Sequence, residues 1–178
     1  TDWVPGFKTS YLIDGIGGQT GKMKFEINDF GFRSSSMKTA EKPPGTHRIF
    51  FLGESTTESI YLPEEKTFPS LVEQKLLEAF PGKRVESING AISGSLAADT
   101  LALLIYKVLY YEPDMVLVMH AINDLRYGAV PAYDPIRRTN YQKILYRPGT
   151  NEGIGRPLAR LLKRSHFLTL IKWRLINR

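Results

Sequence analysis

Ile49-Phe50-Phe51-Leu52-Gly53-Glu54-Ser55 is the stretch on which the fold turns. Four apolar residues in a row suit a strand covered on both faces. The run then breaks at glycine into the polar loop Thr56-Thr57-Glu58-Ser59. A serine where a buried strand opens into a loop can present its hydroxyl to a ligand. Two similar breaks follow. One is Ile92-Ser93-Gly94-Ser95 and the other is Ile122-Asn123-Asp124.

Outward from that stretch, strands alternate with helices. Strands are expected over 48–53, 84–89 and 115–120. The first and third are nearly continuous apolar runs, whereas the second has only Val85 and Ile88 as apolar residues. A helix is expected from about Phe68 to Phe80, with Thr67 as N-cap, Pro69 near its start and Pro81-Gly82 as its stop. A second helix is expected from about Leu96 to Tyr111, with Leu101, Leu104, Ile105 and Val108 on one face and Glu112-Pro113 ending it. This order implies a parallel sheet with right-handed crossovers.

Residues 1–46 read as a leader to the main fold. Met23, Phe25 and Ile27 alternate with Lys22, Lys24 and Glu26, the pattern of a half-buried strand. Tyr11-Leu12-Ile13 is placed to pair with it across Gly15-Ile16-Gly17-Gly18, and Lys42-Pro43-Pro44-Gly45 reads as a linker. Residues 127–157, rich in Pro, Tyr and Gly, read as irregular. Residues 157–176 read as a basic amphipathic helix.

Length and composition narrow the options. At 178 residues one domain is expected, here over 47–178. The chain has no cysteine, which excludes disulfides and thiolate metal sites. It begins at Thr1 rather than Met, so processing, trimming or an upstream segment is expected. Charge is uneven: residues 135–178 carry a net +10 and residues 1–134 a net −4. An anionic surface is therefore one expected partner of the basic helix, the other reading being a solvated or packed helix face. No nucleic-acid motif accompanies the charge.

Ligands of open parallel sheets bind outside the carboxyl ends of the strands. Ser55, Gly94 and Asn123 each follow one of the expected strands, so all three can meet at one crevice. Their chemistry is complementary. Ser55 offers a nucleophile, Gly94 an unshielded backbone N–H and Asn123 a side-chain donor for a developing oxyanion. Singly, each has a plainer role: Ser55 as a cap, Gly94 in a tight turn, Asn123 in an Asx turn.

Taken together, these segments resemble the SGNH (GDSL-type) hydrolase superfamily. Phe51-Leu52-Gly53-Glu54-Ser55 resembles its first block, with Glu54 where Asp is usual. Asn89-Gly90-Ala91-Ile92-Ser93-Gly94 resembles the second, and Ala121-Ile122-Asn123-Asp124 the third, with Ala121 where Gly is common. Asn28-Asp29-Phe30-Gly31-Phe32-Arg33 resembles a leader found before the first block in some bacterial members. The resemblance spans about residues 28–127. It implies a three-layer α/β/α, flavodoxin-like fold with a short N-terminal β extension. It also implies a serine esterase or deacylase working through an acyl-enzyme, without metal or cofactor, on a small ester or acylated carbohydrate. An exported or membrane-associated bacterial setting follows from the same resemblance.

One block of the pattern is missing. None of the seven aspartates has a histidine three residues later, so the Asp-x-x-His pair that would supply the general base is absent. Without a base a serine hydroxyl is a weak nucleophile near neutral pH. The expectation is that this block lies outside the 178 residues. The alternative is a catalytically inactive relative kept for binding. Of the three histidines, His47 precedes the first strand, His120 ends the third and His166 lies on the basic helix. His120 reads as a packed or hydrogen-bonded strand-end residue, and Asp124 as a loop or cap residue. A phosphate- or flavin-binding module is a further alternative, resting on the hydroxyl-rich loop at Ser55, Thr56, Thr57 and Ser59.

Overall fold

The computed structural model describes residues 2–16 and 18–128. Strands β1 (Lys8–Ile16) and β2 (Gln19–Glu26) form an antiparallel hairpin. Then follow β3 (Thr46–Gly53), α1 (Ser55–Glu58), α2 (Phe68–Ala79), β4 (Arg84–Asn89), α3 (Ala97–Tyr106), β5 (Met115–Met119) and α4 (Ile122–Gly128). The basic helix, with His166, and most of the stretch read as irregular lie outside the described residues; α4 reaches into that stretch as far as Gly128.

The hairpin follows from its alternation. Met23, Phe25 and Ile27 are buried while Lys22, Lys24 and Glu26 face outward. Tyr11 stands opposite Met23 and Leu12 opposite Lys22, so Ile13 is buried and Leu12 is 87% exposed.

β3, β4 and β5 make a three-stranded parallel sheet in the order β4-β3-β5, flanked by helices. This is a mixed α/β architecture compatible with a flavodoxin-like fold. β3 comes first of the three in the chain and is the central one. The chain adds β4 on one side of it and then crosses to add β5 on the other. The strand order therefore reverses at β3, the position where a crevice opens outside the carboxyl ends.

The core contains Phe32, Met37, Phe50, Leu52, Ile88 and Val108. Phe32 sets its ring edge-on to Phe50 with centroids 5.1 Å apart, so a leader residue sits inside the sheet's own core. Below it, toward the amino end of β3, fully buried Arg48 bonds Glu86 Oε2 at 2.7 Å and the carbonyls of Ala40 and Tyr111 at 2.9 Å each. These acceptors explain how a guanidinium is tolerated there. β4 is faint in hydropathy because Glu86, which pairs with Arg48, and its neighbours Ser87 and Asn89 are buried polar residues.

Three expectations need correcting. Thr56–Glu58 is not open loop but part of α1, a single helical turn. The second long helix stops at Tyr106 and is followed by a 3-10 turn over Val108–Tyr111. Its expected apolar face is not covered evenly: Val108 is buried, but Leu101 and Ile105 are 56% and 52% exposed. β5 differs likewise from a strand covered on both faces, with Met115, Leu117, Val118 and Met119 all exposed. It pairs only with β3 among the described residues, so its other edge has no neighbouring strand there.

Candidate active site

Ser55, Gly94 and Asn123 all lie in segments that leave the carboxyl ends of the parallel strands. Ser55 is the first residue of α1 and is exposed; the N-cap position falls to Glu54. Gly94 is exposed with φ +79°, a left-handed conformation that favours glycine. Asn123 is half-buried in the first turn of α4.

A closed circuit of hydrogen bonds ties the three segments together. Buried Glu54 turns its carboxylate toward the start of α4. Its Oε1 accepts the N–H groups of Ala121 and Ile122 at 3.1 Å each, and its Oε2 accepts the N–H of Asn123 at 3.2 Å. These donors have no partner within their own helix, and the helix N-terminus favours an anion. Asn123 Nδ2 then donates to the Ser95 carbonyl at 3.1 Å. Ser95 Oγ donates to the Gly53 carbonyl at 2.8 Å, and Gly53 is bonded to Glu54. The amide Nδ2 carries a second N–H, which that contact leaves for another acceptor.

Close packing at Gly53 sharpens the turn. A Cβ there would press into the Met119 carbonyl oxygen and sit 2.7 Å from Thr57 Oγ1. The end of β5 and the first turn of α1 therefore both approach the strand end closely because residue 53 has no side chain.

Asp124 caps the neighbouring helix. Its Oδ1 and Oδ2 accept the Ala97 N–H, at the start of α3, at 3.1 and 3.2 Å. His120 is packed with its side chain 8% exposed. Its Nε2 is 2.7 Å from Thr100 Oγ1, and its Nδ1 is 3.5 Å from Asp124 Oδ2. His47 is exposed in β3 near its amino end, away from these carboxyl-end segments.

Two residues at this site were not singled out from the sequence. Glu58, fully buried, takes the indole N–H of Trp3 at 2.9 Å on Oε1 and the backbone N–H of Ser93 at 2.9 Å on Oε2. The Ser93 hydroxyl bonds the same Oε2. Burial pushes the Glu58 carboxyl above its ordinary value, against the pull of those donors. Asn89 Nδ2 donates to the Thr57 carbonyl at 2.8 Å, linking β4 to α1. Neither role has a local sequence signal, because each depends on a partner brought in by a distant part of the chain.

Among the described residues, no group of three or more His, Cys, Asp or Glu side chains is arranged to hold a metal ion. No helix among them is long and apolar enough to cross a membrane.

No family model matches the chain. An arylesterase of Vibrio mimicus is 36% identical to it over 86 residues. That match covers 48% of this chain and 42% of the relative, so the chain matches less than half of that protein's length.

Proposed function

We propose that the chain carries the site of an esterase-type serine hydrolase of the SGNH kind. Ser55 attacks the ester carbonyl. The backbone N–H of Gly94, the side chain of Asn123 and the backbone N–H of Ser55 receive the oxyanion. Hydrolysis then runs through an acyl-Ser55 intermediate: the serine hydroxyl loses its proton to a base, the alcohol leaves, and water releases the acid.

The observation that carries this reading is the hydrogen-bonded circuit through Glu54, Asn123, Ser95 and Gly53. It holds the segment bearing Ser55 against those bearing the two donors, at the strand where the sheet order reverses. The arylesterase similarity supports the same class of chemistry. A small aryl ester is accordingly the first substrate to try, and an acylated carbohydrate the second. The reading includes a three-layer α/β/α arrangement. Right-handed crossovers running in opposite directions, from β3 to β4 and from β4 back past β3 to β5, would carry α2 and α3 over opposite faces of the sheet.

The base is proposed to come from outside the described residues. His120 is engaged by Thr100, and His47 is near the far end of β3. The mechanism as proposed draws on no metal or cofactor.

The test is labelling of the full-length protein with a fluorophosphonate, followed by peptide mapping and phenyl acetate hydrolysis. One label on Ser55, and loss of both label and turnover in Ser55→Ala, are expected. Absence of label, or label retained in Ser55→Ala, would remove Ser55 from the role and favour a binding domain.

A further inference from the structure

Residues before β3 reach the proposed site through two side chains: Trp3, which bonds Glu58, and Arg33. Asn28 folds the turn that aims the arginine. Its Oδ1 accepts the N–H groups of Phe30 and Phe32 at 3.0 Å each, and its Nδ2 donates to the Ser34 carbonyl at 3.1 Å. Gly31 sits in that turn at φ +79°, where a Cβ would meet the Trp3 carbonyl oxygen at 3.0 Å. Arg33 follows, 2% exposed, with its backbone N–H donating to the Asn89 carbonyl at 3.0 Å.

The guanidinium ends at the back of α1. Nη1 donates to the carbonyls of Glu58 at 2.5 Å and Ser59 at 2.8 Å, and Nη2 donates to the Leu62 carbonyl at 2.5 Å. The Phe25 ring lies 4.9 Å below it, and Nε has no hydrogen-bond partner. Two of these acceptors, Glu58 and Ser59, are carbonyls at the C-terminus of α1, the end that favours a cation, and the third, Leu62, lies just beyond it.

α1 needs such help. A helix of four residues is far below the length at which helices persist unaided. It ends at Ser59 in a left-handed conformation, φ 53°, which non-glycine residues adopt at a cost. A planar fork of donors matches several fixed carbonyls at once, which a lysine ammonium on a flexible stem does less well. The same turn also holds the Gly94 side of the site, since the Glu58 side chain grips Ser93. Arg33 thus fixes the far end of a turn whose first residue is Ser55 and whose last residue holds the neighbour of Gly94.

We infer that Arg33 is a positioning residue: it holds α1 so that the Ser55 hydroxyl and the Gly94 N–H keep their attack geometry. The inference rests on the reading of Ser55 as the nucleophile.

The test compares Arg33→Lys with Arg48→Lys in the full-length protein. Both arginines are buried and bond backbone carbonyls, but Arg48 lies toward the other end of the sheet. The readouts are the melting temperature, kcat and KM for phenyl acetate, and the rate of Ser55 labelling by a fluorophosphonate. Arg33→Lys should lower kcat and the labelling rate about 100-fold with KM within about threefold of wild type. Arg48→Lys should lower the melting temperature while leaving kcat unchanged.

If Arg33→Lys does not fold, Asn28→Asp takes its place; it keeps the Oδ1 acceptor and loses the Nδ2 donor that shapes the turn before Arg33. A wild-type labelling rate in the folded Arg33 or Asn28 variant overturns the inference while leaving Ser55 as nucleophile. Failure of both variants to fold also overturns it, assigning Arg33 to stability alone. A wild-type protein that takes no label overturns the reading of Ser55 itself.

Discussion

Glu54 accepts the backbone N–H of Asn123 at 3.2 Å across a sequence separation of 69 residues. The residue before the proposed nucleophile thereby fixes the proposed oxyanion donor. Replacing Glu54 by Gln should therefore be costly despite the similar shape. The amide has one acceptor oxygen where donors approach both oxygens, and it turns an NH2 group toward an N–H. A loss of about 1–3 kcal/mol is expected in urea denaturation. A fall of about tenfold in kcat should accompany it, from misplacement of α4. Unchanged kcat in a destabilised variant would confine Glu54 to capping.

Asn123→Ala separates chemistry from scaffolding. Loss of the Nδ2 bond to Ser95 should cost about 1 kcal/mol of stability. Loss of an oxyanion donor should lower kcat by about 100- to 1,000-fold. Steady-state kinetics on phenyl acetate decide the matter, and a near-normal kcat would take Asn123 out of the site.

Gly53→Ala tests the close approach at the end of β3. The new methyl group would meet the Met119 carbonyl and Thr57 Oγ1 at once. Overpacking of this kind is expected to cost about 1–3 kcal/mol. A melting temperature equal to that of the wild type would show that the β5 end can retreat.

Glu58 predicts a pH dependence. Burial raises its carboxyl above the ordinary 4.5, so the folded protein holds that proton more tightly than the unfolded chain does. The stability linked to Glu58 is complete below the unfolded value and is lost as pH rises through the raised folded value. Glu73 shifts the same way, also chiefly through burial, so the informative quantity is a difference between two proteins. Glu58→Gln mimics the protonated acid and should gain stability relative to wild type as pH climbs above 4.5. Parallel stability curves for the two proteins would show that Glu58 keeps an ordinary proton affinity.

The sheet was legible because its signals are local. Ile49–Leu52 reads as a covered strand, and Pro69 and Pro81-Gly82 bracket α2 as backbone restrictions require. The alternation from Lys22 to Ile27 foretells a hairpin that sets Phe25 and Ile27 inside. What escaped is polar and long-range. Arg33, Arg48 and Glu58 look from composition like solvated charges, yet all three are buried against partners far along the chain. α1 escaped because a single turn is too short for periodicity to register. Leu101 and Ile105 mark the opposite failure: a correct helical stripe says which side is apolar, and not what covers it.

The hydrogen-bonded circuit also sets an order in time. Arg33 leaves the ribosome 25 residues before the first carbonyl it will cap. At about 5–20 residues per second, its charge waits seconds for a burial site. Asn123 emerges last of the four residues in the circuit, so the ring cannot close on a nascent chain that has not passed β5. Because the closing contacts are so distant, loop entropy delays them further. Among the described residues the site is thus one of the last features to form, and a chain stalled before residue 123 would hold Ser55 without a partner for the oxyanion on the far side of β3.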